Sequence, residues 1–279
     1  MTIWQAIILG LTQGITEFAP ISSSGHLILV PWLLGWSIVD DPALNKTFDV
    51  ALHVGTLAGA LAYFRADVWR YARAFASSIR HRRIRTVDER LAWALVVGTI
   101  PGAIVGALFE DAIQEHLGAP WLIAVMLVVF GVLLYAVDRA TRRTRDVSTI
   151  GVRTGVFLGV AQALALQPGV SRSGVTMTAA RAIGLDRESS ARFSFLLAMP
   201  IIFGAGVFKG ITDLSGGLQG YGVQFAWGVA SSAVSGFLVI WYLLRYLRRH
   251  DYRIFLLYRL AAAVVVLVLI AAGVREATI

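Results

Sequence analysis

Gln167-Pro168-Gly169-Val170-Ser171-Arg172-Ser173-Gly174-Val175-Thr176 lies inside an apolar region, 154–190, that is broken where an uninterrupted membrane crossing would stay apolar and helical. Arg145 and Arg153 precede the region, and Arg187 and Arg192 close it. Basic residues collect on the cytoplasmic side of a membrane protein, so both ends belong there and the segment must enter and return. Irregular backbone survives at membrane depth only when protein shields it or it lines a wet cavity, because lipid offers its amides no partner. The segment is therefore expected at the centre of the molecule.

A second broken region, 1–36, carries the same signature. Leu9, Gly10, Gln13, Ser22, Ser24 and Gly25 recur 149 residues later as Leu158, Gly159, Gln162, Ser171, Ser173 and Gly174. Three strongly apolar runs follow each broken region, giving crossings at about 48–64, 91–109, 120–137, 191–210, 222–247 and 255–273. An odd number of crossings turns the second copy upside down, which is the pattern of an inverted-topology repeat with a site between its halves. The expected fold is an all-α polytopic membrane protein, one domain over 1–279, with repeats at 1–137 and 150–273. It has about six transmembrane helices and two re-entrant broken-helix segments.

Charge orients this arrangement. Eight arginines lie between Arg65 and Arg90 against three acids, and 138–153 and 245–259 hold five arginines each. These three stretches read as cytoplasmic loops. The acidic or near-neutral loops 37–47 (Asp40, Asp41), 110–119 (Glu110, Asp111, Glu115) and 211–221 (Asp213) read as outward-facing. The N-terminus is then outside. Residues 1–15 lack the basic stretch that precedes a cleaved signal sequence, so the N-terminus is expected to remain in the mature chain.

Composition closes off other classes. Of 279 residues, 57% are apolar and 15% charged, against roughly 25% charged in soluble domains. No cysteine is present to crosslink a small scaffold. The formal charge of +8, from 25 basic and 17 acidic residues, belongs to the cytoplasmic loops and argues for no nucleic-acid partner. Neither GxxxxGK[ST] nor HExxH occurs, so ATP-driven transport within this chain is unsupported.

The broken segments hold the polar residues. In the first, Gln13 and Glu17 stand at i, i+4 on one helix face, ahead of Pro20, Ser22, Ser23, Ser24 and His26. An ionisable group at depth costs about 2.5–3.5 kcal/mol on insertion scales, so Glu17 needs a partner. It reads as a metal ligand or acid/base group, with Gln13 lending an amide oxygen. His26, three residues beyond Ser23, is a candidate base for a serine hydroxyl. In the second segment one arginine, Arg172, is surrounded by Ser171, Ser173 and Thr176. A guanidinium fork beside a helix starting near Ser173 is anion-binding chemistry. Asp49 and His53, at i, i+4 on the first crossing, are candidates for lining the same site, although a helix-start aspartate also serves as a dipole partner. Together the segments imply a phosphorylated substrate in the membrane.

At these residues the chain resembles the bacterial undecaprenyl-diphosphate phosphatase family, the bacitracin-resistance type of integral-membrane phosphatase. The matching stretches are Gln13-Gly-Ile-Thr-Glu17-Phe, Pro20-Ile-Ser-Ser-Ser-Gly-His26 and Pro168-Gly-Val-Ser-Arg-Ser-Gly-Val-Thr176, with Phe193-Ser-Phe-Leu-Leu-Ala-Met-Pro200 as a further family-like segment. The resemblance implies hydrolysis of a polyprenyl diphosphate lipid to its monophosphate with a divalent cation, Mg2+ or Ca2+. It also implies a site opening on the outer, periplasmic side of the inner membrane, carrier recycling for cell-wall synthesis, and bacitracin resistance. Carried over by position, it points to Glu17, Ser23, His26 and Arg172 as main actors, and to Ser22, Ser171, Ser173 and Thr176 as phosphate contacts. Gln13 stands where the family often has glutamate, which removes one negative charge from the expected metal site. Ser23 is the favoured nucleophile, with His26 or Glu17 taking its proton; metal-bound water is the competing nucleophile. A polyprenyl-phosphate transporter is the alternative function, and the partners expected are the lipid and the membrane, with homo-oligomerisation left open.

Overall fold

The computed structural model describes residues 1–36, 41–142, 145–212 and 218–278, with helix positions 42, 110–116 and 208–212 described by their backbone alone. Asp40 and Asp213 lie outside the described residues, as do the side chains of Glu110, Asp111 and Glu115. Ten α-helices are described: α1 (Ile3–Phe18), α2 (Ser23–Leu34), α3 (Pro42–His81), α4 (Val87–Leu117), α5 (Pro120–Ala140), α6 (Val152–Ala163), α7 (Arg172–Ala182), α8 (Arg187–Thr212), α9 (Gly222–Leu247) and α10 (Arg253–Ala271). Among them α3, α4, α5, α8, α9 and α10 are long and apolar enough to cross a membrane. The pairs α1–α2 and α6–α7 are the two broken segments. The chain is thus an all-α polytopic membrane protein.

Two expected loops are helical instead. The arginine-rich stretch after residue 64 continues α3 to His81, past non-helical angles at Phe64 (φ −93°, ψ 17°). Its composition explains this. Alanine and arginine are good helix formers, Arg70 bonds Asp67 one turn back at 2.9 Å, and Arg73 lies over the Trp69 ring. Asp67 also takes Arg192 of α8 at 2.5 Å. Likewise α4 runs on to Leu117 where a loop was expected from 110.

Each broken segment packs against a crossing from the other half of the chain, α1 on α9 and α6 on α4. Small residues allow the approach. A Cβ on Gly14 of α1 would lie 1.9 Å from Ser235 Oγ and 2.6 Å from the Ser232 carbonyl of α9; one on Gly159 of α6 would lie 2.0 Å from the Gly98 carbonyl of α4. Backbones this close gain van der Waals contact where lipid supplies no hydrophobic drive between helices. Gly14→Ala is expected to destabilise the fold by about 1–3 kcal/mol, read as a lower melting temperature in detergent. Gly204→Ala, whose Cβ would meet nothing within 4 Å, serves as the neutral control; equal melting of the two variants would refute the tight α1–α9 contact.

A buried ionic triad fixes the arginine-rich ends of α5, α7 and α8. Asp138 accepts Arg181 Nε at 2.8 Å and Arg187 Nη2 at 2.5 Å, and Arg181 donates onward to the Leu185 carbonyl. Removing one member of such a buried set strands the others, at a cost of about 3–5 kcal/mol. The triad anchors the far end of α7, whose first residue is Arg172.

Candidate active site

The two broken segments meet tip to tip. After α1 the chain straightens at Ala19 (φ −64°, ψ 136°), because Pro20 disfavours helical angles in the residue before it. It then turns at Ser22 (φ 78°) into α2. The second segment repeats the turn at Ser171 (φ 77°) and enters α7. Left-handed backbone at a non-glycine residue costs about 1–3 kcal/mol and persists where the surroundings impose it. Here each serine caps its own helix: Ser22 Oγ accepts Gly25 N–H at 3.3 Å, and Ser171 Oγ accepts Gly174 N–H at 3.1 Å. Bonds across the gap join the tips. Gly169 N–H donates to Ser22 Oγ at 3.0 Å, and Ser173 Oγ donates to the Ala19 carbonyl at 3.2 Å. Both α2 and α7 therefore begin where the tips touch, and the unpaired N–H groups of their first turns add positive potential there.

Glu17 is the centre of the site. Arg172 Nη2 donates to its Oε1 at 2.8 Å, and Ser23 Oγ donates to its Oε2 at 2.6 Å. Gln13 Nε2 reaches Oε2 at 3.1 Å, and His53 Nε2 lies 3.5 Å from the same oxygen. Ser23 and Arg172 each occupy the first helical position after a left-handed serine, 149 residues apart, so matching backbones deliver a hydroxyl and a guanidinium to the two oxygens of one carboxylate. Position 166, which corresponds to Glu17, is leucine. The chemistry is thus asymmetric on a matched frame. The Glu17 side chain is only 2% exposed, whereas those of Arg172 and His53 are 20% and 25% exposed, and Ser23 is half-buried. The serine, the arginine and the histidine are thus more accessible than the carboxylate.

Other expected site residues stand behind this group. His26 is turned from Ser23: its Nδ1 is 2.6 Å from the Ser22 carbonyl and its Nε2 is 2.8 Å from Tyr258 OH. Ser22, Ser171 and Ser173 use their hydroxyls within and between the tips. Thr176 is fully buried, and its Oγ1 has no partner among the described residues. Asp49 lies one turn before His53 and gives its backbone carbonyl to His53 Nδ1 at 2.8 Å. Two residues at the site escaped sequence reading, Tyr258 and Arg259. Arg259, counted there with a cytoplasmic loop, is fully buried and donates to the Pro20 and Val170 carbonyls. The available signal was its position inside an apolar run, with Leu256, Leu257 and Leu260 around it.

The donor set can be tested against a divalent cation. Gln13 Oε1 is buried without a hydrogen-bond partner among the described residues, while Nε2 of the same amide faces the Glu17 carboxylate. With the amide turned about its last bond, that oxygen would face the carboxylate, and the two together are hard-cation ligands. No group of three His, Cys, Asp or Glu side chains that could hold a metal occurs among the described residues. The residues fit a cation that takes one carboxylate and completes its shell with phosphate oxygens and water, as Mg2+ does.

Known proteins resemble this chain along nearly its whole length. The family model described as bacitracin resistance protein BacA matches residues 6–265. An undecaprenyl-diphosphatase of Pelotomaculum thermopropionicum is 46% identical over 272 residues, 98% of each chain. One from Desulforudis audaxviator is 45% identical over 96% of this chain and 98% of its own. Undecaprenyl-diphosphatase 2 of Stutzerimonas stutzeri is also 45% identical over the same shares. With a match across nearly all of its length, and with the motif residues gathered around one buried carboxylate, this chain belongs to the bacitracin resistance protein BacA family.

Proposed function

We propose that the chain hydrolyses undecaprenyl diphosphate to the monophosphate and phosphate, and so recycles the lipid carrier of cell-wall synthesis and confers bacitracin resistance. The observation that carries the chemistry is the 2.6 Å hydrogen bond from Ser23 Oγ to Glu17 Oε2, a nucleophile already paired with a base. Binding or transport of a lipid phosphate requires no such pair.

In this reading the terminal phosphate enters through the opening at Ser23 and Arg172. Arg172 and the first-turn N–H groups of α2 and α7 hold its oxygens. Ser23 Oγ attacks the terminal phosphorus while its proton passes to Glu17. The bond from phosphorus to the bridging oxygen breaks, and polyprenyl monophosphate leaves. Glu17 gives that proton to the departing monophosphate, takes one from the water that attacks the phosphoserine, and returns it to Ser23 Oγ as inorganic phosphate leaves. Glu17 and Gln13 Oε1 would hold a divalent cation, Mg2+ or Ca2+, which supplies neutralisation of charge on the phosphate oxygens. His26 orients the first tip through Ser22. His53 lies close enough to Glu17 to share its proton.

An apolar groove that starts at Leu57, one helical turn from His53, and runs on toward Phe75 suits the lipid chain. This groove of about 290 Å³ between α3, α4 and α8 is lined by Leu57, Leu61, Val68, Leu196 and Phe203 among others. Leu57 and Leu61 follow His53 at i+4 and i+8, on the same helix face. We read 1–137 and 150–273 as inverted repeats, with the N-terminus outside and the site opening on the outer face of the inner membrane; the arginine-rich stretches, which belong on the cytoplasmic side, support that orientation.

Phosphate release by the purified chain in detergent, where no compartments exist, tests the reading. Undecaprenyl diphosphate is expected to be hydrolysed, a chelator to abolish release, and a short prenyl diphosphate to be turned over less efficiently. Binding of the lipid without phosphate release would favour transport and overturn the enzymatic reading.

A further inference from the structure

Arg259 is the one residue of α10 that bonds to both tips. Its side chain is fully buried, and no carboxylate among the described residues pairs with it. Instead Nε donates to the Pro20 carbonyl at 2.6 Å, Nη2 to the Val170 carbonyl at 3.1 Å, and Nη1 lies 3.5 Å from the Leu127 carbonyl of α5. Pro20 precedes the left-handed turn at Ser22, and Val170 precedes the one at Ser171. The neighbours are shaped around the guanidinium. A Cβ on Gly174, in the first turn of α7, would lie 2.8 Å from Arg259 Nη2, and one on Gly131 of α5 would lie 2.9 Å from its Cδ. Tyr258, the preceding residue, holds His26 of the first tip at 2.8 Å.

Burying a cation without a counter-charge is costly, and an apolar residue at 259 would complete the hydrophobic face of α10. The carbonyls of two broken segments, by contrast, have no helix or sheet to satisfy them, and a five-donor planar fork can serve several at once. Arg259 itself does not contact Glu17. What it ties together are the two backbones whose next residues, Ser23 and Arg172, must both reach that carboxylate. We propose that Arg259 is a positioning residue for catalysis: it locks the two re-entrant tips to each other and thereby sets the placement of Ser23 and Arg172 on Glu17. The inference rests on the phosphatase reading for its kinetic consequence, and on the tip geometry for its structural one.

The test uses the full-length protein in detergent, with Arg259→Lys and Arg259→Gln, and three measurements: kcat and KM for undecaprenyl diphosphate, melting temperature, and amide hydrogen exchange. Lysine keeps the charge but cannot bridge carbonyls on separate segments. In the Lys variant kcat is expected to fall about 10- to 100-fold with KM within about threefold, the size of effect that a small misplacement of reacting groups produces. Exchange is expected to quicken together at 19–24 and 168–173 while α8 and α9 stay protected. Several results would overturn the proposal: wild-type kcat in a folded Arg259→Lys protein; a raised KM with kcat retained, which marks a direct phosphate contact; faster exchange at one tip only; or activity that merely follows the folded fraction in both variants. A wild-type chain that releases no phosphate would defeat the phosphatase reading, while the exchange measurement would still decide whether Arg259 couples the tips.

Discussion

Arg172→Ala is expected to lower kcat for undecaprenyl diphosphate by about 10²–10³, equivalent to about 3–4 kcal/mol, the usual loss when one preorganised donor to a developing oxyanion is removed. Three features support that role for Arg172. Its guanidinium is held 2.8 Å from Glu17 at the first position of α7. Its side chain is one-fifth exposed, against 2% for Glu17, so it is the more accessible partner of the pair. The far end of its helix is fixed by the Asp138 triad, so the donor needs little reorganisation when substrate arrives. Arg172→Lys should recover little, because an ammonium cannot present two parallel donors to a phosphate. The melting temperature should fall as well, since the buried Glu17 carboxylate loses the guanidinium 2.8 Å away, so turnover is compared per folded protein. Near wild-type turnover in either variant would remove Arg172 from the reaction.

Much of this architecture was legible in the residues. The six crossings follow from apolar run length, and the meeting of the broken segments follows from two signals that agree, charge at their flanks and the 149-residue offset. The offset even locates the matched turns, since Ser22 and Ser171 adopt nearly the same φ and cap their helices in the same way. What sequence could not show were the side-chain directions within a tip. Ser23 and His26 stand three apart, which suggested a pair, but the left-handed turn at Ser22 sends Ser23 toward Glu17 and folds His26 back on the Ser22 carbonyl. Arg259 was hidden for a different reason: an arginine near a helix start reads as a loop cation, and only the tertiary fold brings the Pro20 and Val170 carbonyls to it. The helical extension to His81 was concealed by its charge, which marks the membrane boundary and says nothing about where the helix stops.

Glu17→Gln should separate binding from chemistry. As a carboxylate, Glu17 does two opposing things. It accepts the Ser23 hydroxyl at 2.6 Å, which prepares the nucleophile, and it neutralises Arg172 at 2.8 Å, which competes with any phosphate seeking the same guanidinium. The amide retains nearly the same shape and an acceptor oxygen but can neither take the serine proton nor carry charge. Loss of the base should reduce kcat by about 10²–10⁴, the range for general acid–base catalysis, and loss of the cation-binding carboxylate adds to it. At the same time Arg172 is released from a counter-charge at contact distance, where the attraction is worth several kcal/mol at an effective dielectric constant near 20. Binding of inorganic phosphate should therefore tighten in the variant even as turnover disappears. Measured by direct binding of inorganic phosphate in chelator, where no cation bridges the anion to the site, the dissociation constant should fall relative to wild type under the same conditions. An unchanged or weaker phosphate affinity would mean that Arg172 does not receive the phosphate, and retained turnover would mean that Ser23 is not activated through Glu17. Because the two effects have opposite signs, simple unfolding of the variant cannot imitate the expected pair.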